Sequence, residues 1–105
     1  MISALFSKGD RIALGKVALV YEKNLFSSLH YGVSVPKKKV PLAVHRNRLK
    51  RLLRECIRLY FKQHPQLLLQ AVGLFVIFNG NRLLSFEELK ENVFFLLDRF
   101  FYPGE

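Results

Sequence analysis

The fold class that this sequence predicts is α+β, an α/β sandwich in which helices cover a small mixed sheet, and three features of the hydrophobic pattern predict it. Short apolar stretches rich in β-branched and aromatic residues fill the first third of the chain. Helical spacing replaces them from Leu42 to about Gln63. A further apolar run, Ala71 to Phe78, then leads into a capped amphipathic segment. The 105 residues suffice for one domain with a modest core, so residues 1–105 are expected to share a single core.

In chain order, Ile2 to Ser7 reads as a short helical turn offering Ile2, Leu5 and Phe6 to that core, and Lys8, Gly9 and Asp10 as a turn. Val17 to Tyr21 and Leu29 to Val35 read as strands, the second alternating Leu29, Tyr31, Val33 and Val35 with His30, Gly32 and Ser34. With polar Glu22 to Ser28 between them, an antiparallel hairpin is expected. Pro36 ends the second strand, and Lys37, Lys38 and Lys39 make a basic loop before Pro41.

Over Leu42 to Gln63, the residues Leu49, Leu52, Leu53, Cys56, Ile57, Tyr60 and Phe61 recur at helical steps and form one apolar side. After His64 and Pro65, the nearly unbroken apolar run Ala71 to Phe78 suits a central strand covered on both sides, closed by Asn79, Gly80 and Asn81. Ser85 with Glu88 three residues on is a capping box. Phe86, Leu89, Val93, Leu96, Leu97 and Phe100 then continue a helix as far as Pro103 and Gly104. The expected order is a short helix, two or three strands, the basic helix, a strand and a helix; with three strands this is α-β-β-β-α-β-α.

Composition narrows the function. A hydrophobic fraction of 50% with 10 Phe excludes a disordered basic tail. The lone cysteine, Cys56, excludes an intramolecular disulfide, and no secretory leader pattern opens the chain, so a cytoplasmic location is expected. No apolar stretch reaches the roughly 20 residues of a membrane span. The formal charge of +9 is concentrated. Ten basic residues lie between Lys37 and Lys62 against one acid, Glu55, while the rest of the chain holds seven of each sign. Such a concentrated field is a docking face for a polyanion.

At about 100° per residue, Arg46, Asn47, Lys50, Arg51, Arg54 and Arg58 fan over the side of the helix opposite its apolar residues. Arginine grips phosphate through two parallel hydrogen bonds and stacks on bases, which favours nucleic acid over an acidic protein. A merely solvated face would mix charges at i to i+4 spacing. Here Glu55 alone is available, to Arg51, Arg58 or a neighbour. The Asn47 amide either meets phosphate or ribose, or bonds within the first turns of the helix. Replacing Arg46 and Arg48 by Ala is expected to leave the fold intact and to weaken RNA binding.

Other residue types suggest no chemistry of their own. The three histidines lack metal-ligand spacing, so no metal site is expected. Glu87, Glu88 and Glu91 stabilise the positive end of their helix, and Cys56 faces the core.

The segment Ala43-Val44-His45-Arg46-Asn47-Arg48-Leu49-Lys50-Arg51-Leu52-Leu53-Arg54-Glu55 resembles the signature of the bacterial ribonuclease P protein family, an Arg-Asn-Arg run followed by Lys-Arg and a further Arg. The likeness extends back through Gly32-Val33-Ser34-Val35-Pro36-Lys37-Lys38 and forward over the last strand and helix. Two features depart from the pattern. Pro41-Leu42 stand where small or polar residues often precede Ala-Val, and Met1 falls almost inside the first helix, without the usual basic arm. Either a reduced leader contact or an upstream start is expected.

The resemblance implies an α/β sandwich with a left-handed β-α-β crossover, an exception to the usual hand. It implies a protein that binds ribonuclease P RNA and precursor tRNA, with hydrolysis carried by Mg²⁺ held by the RNA. No cofactor is then bound by the protein alone, and neither a membrane nor an obligatory protein partner is involved. RNA contacts would come from Lys37, Lys38, Lys39, Arg46, Asn47, Arg48, Lys50, Arg51, Arg54 and Arg58. The 5′ leader would meet Phe6 and Tyr21, unless these two simply fill the core. A free-standing ribosomal or DNA-binding module using the same helix is the competing class, and a membrane-surface helix is a third.

Overall fold

The computed structural model describes residues 10–23, 27–80 and 82–103. The expected short helix over Ile2–Ser7, including Phe6, lies outside these residues, as do Lys8 and Gly9. Strands β1 (Asp10–Leu14), β2 (Val17–Lys23) and β3 (His30–Ser34) precede helix α1 (Ala43–Gln63). A 3-10 turn (Pro65–Leu69), strand β4 (Val72–Phe78) and helix α2 (Phe86–Phe101) follow. The described order is thus β-β-β-α-β-α, an open four-stranded mixed sheet carrying two helices.

The sheet order is β1-β2-β4-β3, with β2 antiparallel to both β1 and β4, and β3 parallel to β4. This corrects two sequence-based expectations. The stretches Val17–Tyr21 and Leu29–Val35 do not form a hairpin, because β4 inserts between them. All seven residues of β4 are buried, which suits an interior position, and β2 and β3 flank it. The true hairpin is β1–β2. Asp10, assigned above to a turn, begins β1, and the connection is Gly15-Lys16. Gly15 sits at φ 62, where L side chains are disfavoured, and a Cβ there would collide with Asn92 Oδ1, the atom that accepts from the Lys16 backbone N–H at 2.8 Å.

Strand alternation divides the sheet into two apolar faces. Val17, Leu19, Val33, Val72, Leu74, Val76 and Phe78 join the main core, against Leu49, Leu53, Cys56, Ile57, Tyr60 and Phe61 of α1 and Leu89, Val93, Leu96 and Leu97 of α2. Ala18, Val20, Phe75 and Ile77 make a separate cluster on the reverse face. The two helices are joined through Tyr60, which is fully buried. Its hydroxyl donates to Asp98 Oδ1 at 2.8 Å, and its ring meets Phe61 and Phe94 edge-on. Burial, reinforced by this bond, pushes the Tyr60 phenol up from its ordinary value, so it is a neutral donor.

Candidate nucleic-acid interface

Helix α1 is held by its inner face alone. Each of its fully buried Leu or Ile side chains contributes about 1.5–3 kcal/mol, whereas exposed charges contribute little to folding. The outer face is therefore left without a structural duty, apart from the residues that find partners within the chain.

Two residues do. Arg46, half-buried, turns back along the helix, and its Nη1 donates to the carbonyl oxygens of Val40 at 3.0 Å and Pro41 at 2.6 Å. It clamps the loop that leads from the three lysines into α1. The expectation that Arg46 can be removed without cost to the fold is thereby corrected: two backbone carbonyls depend on it. Arg58 forms a fork with Glu55, Nε donating to Oε1 at 3.0 Å and Nη2 to Oε2. That hydrogen bond is the main reason the Glu55 carboxyl is held below its ordinary value of 4.5. Of the pairings open to Glu55 in the sequence, the structure uses Arg58.

By steps of about 100° per residue, Arg46 falls between Leu53 and Ile57, and Lys50 between Ile57 and Phe61, so these two border the packed face and do not oppose it as expected. Most of the remaining candidates face solvent. Asn47, Arg48, Arg51 and Arg54 are exposed and Lys50 is half-buried, while Lys37, Lys38 and Lys39 are exposed in a turn where the backbone N–H groups of Lys39 and Val40 donate to Pro36 O. The face is also less polar than its charge suggests. Val44 is 75% exposed and Leu42 60%, and a surface depression of about 390 Å³ is lined by Val44, Arg48, Arg51 and Leu52. Leu52, grouped above with the apolar side, is half-buried at this depression. Apolar ground between two guanidinium groups suits a base or ribose with its phosphate.

No acid stands in the first turn of α1, and its N-cap, Leu42, supplies no side-chain acceptor. The positive end of the helix dipole therefore adds to the field of Arg46 and Arg48.

Tyr21 is half-buried on the helix-facing side of the sheet, its ring centroid 4.5 Å from that of Phe100, so the core alternative describes most of its surroundings. Cys56 is fully buried, and burial, with Glu55 nearby, pushes its thiol up to about 11, which keeps it protonated and inert. Among the described residues no three His, Cys, Asp or Glu side chains gather as a metal site, and no helix is long and apolar enough to cross a membrane. The residues of the α1 face are cationic and do not fit a metal ion.

A sheet-backed helix with one packed face and one exposed face poor in acids defines a class of protein, a small α+β domain that presents a basic helix on a rigid support. The family model for Ribonuclease P matches residues 1–100. The chain is 33% identical over 90 residues to the ribonuclease P protein component of Desulfotalea psychrophila, covering 86% of this chain and 72% of that protein. It is 34% identical over 64 residues to the same component of Nitrosococcus oceani, covering 61% of this chain and half the length of that relative. The fold is similar to the solved RNase P protein of Thermotoga maritima, with a TM-score of 0.72 at 22% identity, covering 93% of this chain and 89% of that one. The chain belongs to the ribonuclease P protein family.

Proposed function

We propose that this chain is the RNA-binding subunit of a ribonuclease P ribonucleoprotein and works in the cytoplasm. There it assists the endonucleolytic removal of the 5′ leader from precursor tRNA. The observation that carries this reading is the basic side of α1, where Asn47, Arg48, Lys50, Arg51 and Arg54 follow the exposed Lys37–Lys39 turn with no acid among them. In this assignment α1 and the lysine turn grip the ribonuclease P RNA through phosphates, and Arg46 holds the loop so that the two parts present one surface. The chemistry belongs to the RNA, whose bound Mg²⁺ supplies the hydrolysis. The protein supplies countercharge and position. The 5′ leader is assigned to the sheet with Phe6 and with that part of the Tyr21 ring which Phe100 leaves open.

The test is cleavage of a precursor tRNA by a bacterial ribonuclease P RNA at low Mg²⁺, with and without this protein. Stimulated cleavage at the mature 5′ end is expected, because added countercharge replaces part of the Mg²⁺ requirement. RNA binding without stimulation would instead indicate a free-standing binding module.

A further inference from the structure

The aromatic residue with the most unusual position is Tyr31. It lies in β3, which is an edge of the sheet, and it remains 42% exposed although it belongs to the strand's core-facing set. Its ring stacks on that of Phe61 of α1, with centroids 6.0 Å apart and planes 29° from parallel, and Phe61 itself is only 4% exposed. This contact shows which flank of α1 faces β3. By helical geometry Lys50, Arg54, Arg58 and Phe61 fall within a wedge of about 80° on that flank. The Arg58 side chain on this flank is 55% exposed.

We propose that Tyr31 is a stacking platform for an unpaired nucleotide of the RNA held on α1, with Arg54 and Arg58 receiving the adjoining phosphates. The proposal rests on the reading of α1 as an RNA-binding face and adds a base contact to what is otherwise a phosphate surface. An unpaired base needs an accessible π face on a rigid support and a cation within a nucleotide's reach. Here the sheet edge and Phe61 supply the support, and the α1 flank supplies the cations. The Glu55–Arg58 pair is no obstacle. It is exposed on both sides, so Arg58 can be redirected to a phosphate at little cost, and the freed carboxylate can accept from a base amino group.

The experiment measures affinity of the full chain for a bacterial ribonuclease P RNA and, in parallel, for polyphosphate, which has charge but no bases. The variants are Tyr31→Phe and Tyr31→Leu, with thermal unfolding of each recorded. Tyr31→Phe is expected to bind RNA as the parent does. Tyr31→Leu should bind it at least about fivefold more weakly, with the salt dependence unchanged because no phosphate contact is lost, and polyphosphate binding should be the same for all three. Parental RNA affinity in Tyr31→Leu would overturn the proposal, as would an equal loss in Tyr31→Phe or a matching loss toward polyphosphate. Failure of the parent protein to bind RNA would overturn both this proposal and the reading of α1 on which it rests.

Discussion

The two helices of this protein bury similar apolar stripes against the same sheet, yet their first turns are built in opposite ways. Helix α2 opens on a complete capping box. Ser85 Oγ accepts from the Glu88 N–H at 3.2 Å, Glu88 Oε1 accepts from the Ser85 N–H at 3.1 Å, and Glu87 and Glu88 oppose the positive end of the dipole. Helix α1 opens on Leu42 with no side-chain cap, no acid, and Arg46 and Arg48 nearby. One terminus satisfies itself. The other leaves the positive end of its dipole unopposed, and it is held by the packed inner face of α1 and the Arg46 clamp. The difference separates a helix that completes the fold from one that the fold presents.

The sharpest way to break this comparison is to remove charge from α1. Replacing Arg48 and Arg51 by Ala should weaken RNA binding roughly tenfold or more and lower the slope of log affinity against log salt by about two, while thermal unfolding stays put. Neither side chain has an internal hydrogen bond among the described residues, so unchanged binding in a salt titration would remove α1 from the interface. Arg46→Ala should behave differently. It should lower the folding free energy by about 1 kcal/mol through the lost bonds to Val40 and Pro41, and disturb binding through the loop as well. A binding defect at full stability would show that Arg46 acts only as a charge.

The caps offer a smaller and reciprocal test. Ser85→Ala should lower the unfolding temperature by about 4–8 °C, the equivalent of a cap worth about 1 kcal/mol, and leave RNA affinity alone. Leu42→Ser, which gives α1 the cap it lacks, should raise the unfolding temperature by a comparable or smaller amount. A fall on that substitution would show that Leu42 has a packing role beyond the exposed position described here.

The smallest effect expected is on pH dependence. The Ser85 backbone N–H, followed by Arg82, holds the Glu88 carboxyl below its ordinary value of 4.5. A depressed carboxylate stabilises the fold fully above that ordinary value and ceases to do so as pH falls through its folded value. Acid unfolding curves of the parent and Glu88→Gln should therefore differ at neutral pH and converge below 4.5. Parallel curves across that range would mean that the charge of Glu88 adds nothing to its cap.

Much of this molecule is written locally. The period of Leu49 to Phe61, the two-sided apolar run of β4 and the Ser85–Glu88 box each concern residues within a turn or a strand of one another. All three appear in the structure where the sequence places them, with α1 and β4 each starting one residue later than read. The basic face is legible for the same reason, because charge and spacing along one helix need no knowledge of the rest of the chain. Strand β1 is harder to see, since half-buried Ile12 and Leu14 alternate with exposed Arg11 and Ala13 too briefly to stand out from a turn.

By itself, then, the sequence determined the α+β class, the two helices, the central strand and the segment that carries the charge, since all of these follow from short-range periodicity. The tertiary structure alone decided which strands pair. That is a competition between distant segments for the interior of the sheet, and β4 enters it between β2 and β3. It also decided among side chains of the same type: Arg46 and Arg48 are two residues apart and chemically identical, but only Arg46 finds carbonyl oxygens within reach. Tyr31 reads as an ordinary alternating strand residue until the position of α1 beside an edge strand leaves its ring on Phe61 and open to solvent.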